Sequence, residues 1–207
     1  MAVFQAVCGD SVRHLTNLLA PLDRQPEKLA AQLLYRFGSI AAIVNASAPE
    51  LKQASEGNEA WLIAFLAIRQ LLNDGLREEL VRTSLDANSV ELKRYLLSAM
   101  GHLREERMIA IFADRAGEVI AEEVIAEGEE SYLLINSRRI LGRALKLDAR
   151  RVVLAHNHPS GSAEPSARDI EQTLILISQG AQLGVAIEDH LVVGKMSVVS
   201  MKDRGLF

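Results

Sequence analysis

The hydrophobic pattern of this chain changes at Met108, and that change divides what it can fold into. Upstream, apolar residues recur at helical spacing. In the stretch 26–40, Leu29, Leu33, Leu34 and Phe37 fall at i, i+4, i+5 and i+8, one face of a helix. Gly38 is a suitable stop for it. Ser47 suits the cap of a next helix, with Pro49 and Glu50 in the first turn. Glu59 to Leu72 predicts a third helix, holding Trp61, Phe65, Leu66 and Ile68. Residues 1–75 carry no strand signal. Residues 76–88 read as a connector of mixed charge, ending in the polar stretch Thr83 to Asn88. Asn88 or Ser89 opens another helix, whose buried face draws on Val90, Tyr95, Leu96, Met100 and Leu103.

From Met108 onward the apolar runs are short. Met108 to Asp114, the turn 114–117 and Glu118 to Gly128 predict a β-hairpin. Ser137 to Leu147 predicts a helix, Val152 to Ala155 a buried strand, and Ser166 to Gln179 a second helix. Val185 to Gly194 and Met196 to Met201 predict two closing strands. Strand, strand, helix, strand, helix, strand, strand defines an α/β (α+β) domain, a mixed β-sheet flanked by helices. The expected organisation is a small all-α domain over 1–75, a connector over 76–88, and the α/β domain over 89–207.

Composition removes several alternatives. Hydrophobic residues make up 49% and charged residues 24% of the 207, ordinary values for a globular chain. One cysteine, Cys8, allows neither an internal disulfide nor a thiolate zinc site. The opening residues lack the basic and apolar regions of a signal peptide. No stretch reaches the roughly 20 apolar residues of a membrane span. No membrane partner is expected, and the cytoplasm is the default location.

The segment 155–169, AHNHPSGSAEPSARD, carries the chemistry. His156 and His158 follow the buried strand. With one residue between them on an extended backbone, both side chains point the same way and can reach one ion. Asp169 lies beyond a turn containing Pro159, Gly161 and Pro165, three residues after Ser166, so that Ser166 and Asp169 share a helix face. Two histidines and a carboxylate form a catalytic zinc set, which leaves a fourth position for water. An isolated His-x-His is usually surface decoration. The accompanying strand end, turn and Ser-x-x-Asp favour Zn2+ here.

His-x-His, seven residues, then Ser-x-x-Asp resembles the JAMM metallopeptidase motif, here His156, His158, Ser166 and Asp169. The string HNHPSG followed by PS and Asp resembles the RadC-like branch in particular. So does Asp189-His190 before an apolar strand. The resemblance covers roughly residues 86–207. It implies a JAMM-type zinc hydrolase of peptide or isopeptide bonds, acting on a protein or peptide substrate the sequence does not specify. It also implies an upstream glutamate just before the first strand, which takes a proton from the activated water and passes it to the leaving amine. Glu106 matches that place best, with Glu105 as the fallback. Ser166 caps its helix and can also donate to the developing oxyanion. Members of the branch usually carry Pro-Arg-Glu where this chain has Ser137-Arg138-Arg139. The charge reversal at Arg139 points to altered substrate or partner contact.

The family often carries an amino-terminal helix-hairpin-helix, and the stretch 51–62 is where its glycine-rich hairpin should fall. Only Gly57 remains there. Residues 1–73 hold six Lys/Arg and six Asp/Glu, a net charge of zero. Counterion release drives phosphate binding, so nucleic acid is not an expected partner of residues 1–75. Two other readings remain: a metal-binding or scaffold module without activity, and a nucleic-acid-binding factor associated with DNA repair. Stoichiometric zinc argues against a pure scaffold, and salt-sensitive DNA binding would favour the repair factor.

Overall fold

The computed structural model describes residues 2–56, 58–82, 84–128 and 135–207. Gly57 lies outside the described residues. The chain forms two compact units, Met1–Leu72 and Asn73–Phe207. Among the described residues, no helix is long and apolar enough to cross a membrane.

The first unit contains α1 (Ala2–Leu19), α2 (Pro26–Phe37), α3 (Ile40–Val44), α4 (Ala48–Ala54) and the start of α5 (Glu59–Val81). Local chemistry sets their ends. Gly38 adopts a left-handed conformation and returns its N–H to the carbonyl of Leu34, closing α2. Ser47 and Glu50 form a reciprocal capping box at α4. Leu15, Leu19, Leu29, Leu33, Ile43 and Leu51 pack around Trp61 and Phe65. The two rings stack with centroids 5.2 Å apart, worth about 0.5–1.5 kcal/mol beyond area burial. α5 does not stop at Leu72 but runs on to Val81, through the first residues read as a connector. Leu76 and Leu80, four residues apart, join the core of the second unit, while Arg77, Glu78 and Glu79 between them are exposed.

The second unit continues with α6 (Val90–Met100), β1 (Glu106–Ala113), β2 (Val119–Gly128), α7 (Ser137–Lys146), β3 (Arg151–Asn157), α8 (Ala167–Gln182), β4 (Ala186–Val193) and β5 (Val198–Ser200). The strands form one mixed sheet in the order β2-β1-β3-β4-β5. Only β3 and β4 run parallel, and α8 is their crossover. This is the mixed α/β architecture expected of the sequence, a sheet flanked by helices with a helical region before it.

The central strands are apolar on both faces because both faces are covered. Ile109, Ile111, Val153, Ala155 and Leu191 pack with Leu92, Tyr95 and Leu96 of α6. Met108, Ala110, Phe112, Val152 and Leu154 pack with Ile140, Leu141 and Ala144 of α7 and Leu176 of α8. Alternation along β3 continues the second set to His156. The histidine thus takes a core-facing position at the end of an apolar strand, and only 2% of it is exposed.

Candidate metal centre

Three side chains converge where β3 ends and α8 begins. The ring nitrogens His156 Nε2 and His158 Nε2 are 2.9 Å apart. Asp169 Oδ1 lies 3.6 Å from His156 Nε2, and Oδ2 lies 3.6 Å from His158 Nε2. Among the described residues, this trio is the group of His, Cys, Asp and Glu whose ligand atoms cluster closely enough to hold a metal ion.

The backbone explains the convergence. His158 follows β3 directly, and its N–H donates to the carbonyl of Val193, so β4 holds it in line with the strand. The chain then turns at Gly161, whose φ of +88° suits glycine, and whose carbonyl accepts from the N–H of Lys195. A Cβ on Gly194 would stand 2.5 Å from the Gly161 carbonyl oxygen, so glycine lets the two turns lie in contact. The carbonyl of Ser162 meets His158 Nδ1 at 3.0 Å. A carbonyl only accepts, so Nδ1 carries the proton and Nε2 is left with its lone pair facing the site in the neutral ring.

Asp169 sits at the third position of α8, in a capping box with Ser166. The Ser166 N–H and hydroxyl both donate to Asp169 Oδ2 at 2.7 Å, and the hydroxyl oxygen accepts from the Asp169 N–H at 3.1 Å. Ser166 is therefore the N-cap, and its hydroxyl proton is engaged with the carboxylate.

Electrostatics match this geometry. Burial by itself would raise the Asp169 carboxyl, but the facing imidazoles of His156 and His158 and the Ser166 hydroxyl outweigh it and hold Asp169 far below the carboxylate range. The Asp169 carboxylate raises His158 above its ordinary value. Partial burial opposes that, and the Ser162 carbonyl and Glu106 charge add to it. The site could hold a cation: two imidazole nitrogens and a carboxylate converge, and a lone proton satisfies only part of the set. Tetrahedral zinc, with bonds of about 2.0–2.2 Å, spaces its ligand atoms roughly 3.3–3.6 Å apart. The observed 2.9 and 3.6 Å separations bracket that span. Nitrogen with carboxylate donors, rather than thiolates, fits a zinc site of the open kind.

Glu106 begins β1. In the antiparallel β1–β3 pair Met108 stands opposite His156. Directly opposed residues share a face, and Glu106 is two residues before Met108, so it lies on the face of His156 and His158. Its charge is felt at His158. Glu105, one residue earlier, lies in the bend before β1 and is exposed. Beyond the last paired residues, the Asn157 amide takes over from the backbone ladder. Its oxygen accepts from the N–H of Arg107 at 2.8 Å, and its nitrogen donates to the carbonyl of Glu105 at 3.0 Å. Both peptide groups flanking Glu106 are thus clamped to the strand that bears the histidines.

His190 is fully buried behind His156. His156 Nδ1 and His190 Nε2 are 2.8 Å apart, and His190 Nδ1 is 2.6 Å from the hydroxyl of Thr173 on α8. A bulge in β4 brings the ring to this face: Val152 is opposite Ile187, but Val153 is opposite Asp189. The extra residue, Glu188, shifts the alternation by one and turns His190 toward α8. Burial, and secondarily the neighbouring His156 ring, push His190 well below its ordinary pKa. The preceding Asp189 faces away, accepting from the Ser200 hydroxyl and the N–H groups of His190 and Lys202.

Arg139, which the sequence suggested for substrate or partner contact, has its guanidinium on β2. It donates to the carbonyl of Val124 at 2.9 Å and to that of Ile125. Met108 pairs with Ala126 and Ile109 with Val124, so Ile125 is a bulge residue. The arginine supplies donors to a strand edge that the bulge leaves unpaired.

Sequence reasoning assigned no part to Asn157 or Thr173. The signal for Thr173 was its spacing: four residues past Asp169 places it one helical turn along the same face. Asn157 had none beyond its place between the histidines.

A mixed sheet of this order, with a His-x-His strand end and a Ser-x-x-Asp helix start, defines a JAB-type domain. Residues 86–206 match the family described as RadC-like JAB domain, and the chain belongs to that family. Relatives include UPF0758 proteins from three bacteria. That of Leptothrix cholodnii is 35% identical over 86% of this chain and 81% of its own length. That of Protochlamydia amoebophila is 31% identical over 86% and 78%. That of Bordetella bronchiseptica is 33% identical over 86% and 79%.

Proposed function

We propose that this protein is a zinc-dependent hydrolase of peptide or isopeptide bonds. The observation that carries the reading is the convergence of His156 Nε2, His158 Nε2 and the Asp169 carboxylate, with Glu106 on the same sheet face. Zinc supplies Lewis acidity to the scissile carbonyl and acidifies a water molecule. The residues of the chain do the rest. His156, His158 and Asp169 hold the ion. Glu106 accepts a proton from the attacking water and returns it to the leaving amine. Ser166 keeps Asp169 oriented, and its hydroxyl, on an exposed residue, donates to the oxyanion once it turns from Oδ2. The test is hydrolysis of peptide and isopeptide-linked libraries by zinc-loaded protein. Cleavage should vanish on chelation and return with zinc; cleavage that persists in chelator would refute the reading.

Metal uptake should depend on pH with a fixed sign. Asp169 raises the His158 pKa, and a proton on His158 competes with the metal. Apparent zinc affinity should therefore fall as pH drops below that raised value, about tenfold per unit per competing proton, and level off above it. Zinc titration between about pH 5 and pH 8 reads this directly. An affinity independent of pH across that range would contradict the ligand set.

Residues 1–75 should not grip duplex DNA at physiological salt, given their balanced charge. The full chain, titrated with labelled duplex, should show no steeply salt-dependent binding that neutralising Lys28, Arg36 and Lys52 removes. Such binding would revive the repair-factor reading.

A further inference from the structure

We propose that Thr173 and His190 are positioning residues that fix which nitrogen of His156 faces the metal. The inference rests on the metal-centre reading above and assigns a role to residues behind it. Thr173 Oγ1 lies 2.6 Å from the Asp169 backbone carbonyl and 2.6 Å from His190 Nδ1. A threonine hydroxyl has one proton, and a carbonyl only accepts. The proton therefore goes to Asp169, and the hydroxyl oxygen must accept from His190 Nδ1–H. His190 is fully buried and its ring bonds a hydroxyl and an imidazole, with no carboxylate to compensate a buried cation, so the ring carries one proton and its Nε2 a lone pair. At 2.8 Å that lone pair must accept from His156 Nδ1–H. His156 is left with a bare Nε2, the atom that faces His158 and Asp169. One hydroxyl thus orders three protons in sequence, and the order ends at a metal-ready nitrogen. Thr173 and His190 are both fully buried, so no water competes for these bonds.

The helix makes the device compact. Asp169 offers its carboxylate to the metal and its backbone carbonyl, one turn below Thr173, to the proton chain. Ligand and tautomer control therefore come from the same turn of α8. Without the Thr173 hydroxyl the order is no longer imposed. His190 is free to carry its proton on Nε2 and donate it to His156 Nδ1. His156 then holds its own proton on Nε2, where it blocks coordination. Outer hydrogen-bond partners of metal-binding histidines typically change affinity about 10–100-fold.

The experiment reads the imidazole nitrogens of metal-free protein by long-range ¹H–¹⁵N correlation NMR, at a pH where His156 and His190 are neutral, beside zinc affinity by competition with a chelator. Wild type should show protons on Nδ1 of both His156 and His190. Thr173→Val should move the His156 proton wholly or partly to Nε2 and weaken zinc binding about 10–100-fold. Thr173→Ser, which keeps the hydroxyl, should restore both. A wild-type His156 protonated on Nε2 would overturn the proposal. So would a Thr173→Val protein that keeps both the wild-type tautomer and the wild-type affinity, or a Thr173→Ser protein as impaired as Thr173→Val. Should Thr173→Val fail to fold, the wild-type spectrum and the Thr173→Ser affinity still decide. The tautomer pattern is read without metal. Wild-type protein with the expected pattern but no zinc affinity would refute the metal-centre reading alone.

Discussion

His158→Ala should release zinc. In the metal-binding reading, removing one of three protein ligands costs about 3 kcal/mol or more, over a hundredfold in affinity, when a full four-ligand zinc site is worth about 10–16 kcal/mol. The fold should survive. His158 lies past the last residue of β3, and its side chain makes one bond to the backbone, to Ser162. Purified His158→Ala should then show far less than one zinc per chain by elemental analysis, and a melting temperature no longer raised by added zinc. Wild-type zinc content in the variant would remove His158 from the site. His156→Ala should lose the metal equally and lose more stability, because that ring is buried and partners His190.

Glu106→Gln should separate metal binding from turnover. The glutamine keeps the size of the side chain and the clamp that Asn157 places on the neighbouring peptide groups. Zinc content should stay at the wild-type level, while hydrolysis falls about a hundred- to ten-thousandfold, the usual worth of a general base. The proton acceptor is lost, and Glu105, which is exposed and lies in the bend before β1, is not expected to replace it. Full activity in Glu106→Gln would assign the base to another residue. Loss of zinc in Glu106→Gln would instead make Glu106 a ligand.

The succession of strands and helices from Met108 onward, and the two histidines and aspartate that meet, were legible because each depends on local periodicity. His156 and His158 share a side through the period of two along β3, and Asp169 is placed by a capping box whose Ser-x-x-Asp spacing is written in the chain. The antiparallel partnership of β1 and β3 then brings Glu106 to the same face. Features that depend on pairing between strands were not legible. The β4 bulge that turns His190 inward is a relation between two strands, invisible in the period of either. The same holds for the Ile125 bulge, which draws Arg139 to β2. Asn157 acts on a strand some fifty residues away in sequence, and nothing local marks it. The continuation of α5 was obscured by the polar run from Asn73 to Glu79, which interrupts the apolar stripe except at Leu76.

Anomalous diffraction at the zinc edge, from crystals grown with one equivalent of zinc, tests the central claim most directly. A single strong peak should lie about 2.0–2.2 Å from His156 Nε2, His158 Nε2 and one oxygen of Asp169. No peak among those three atoms, with zinc absent or bound elsewhere on the chain, would contradict the account.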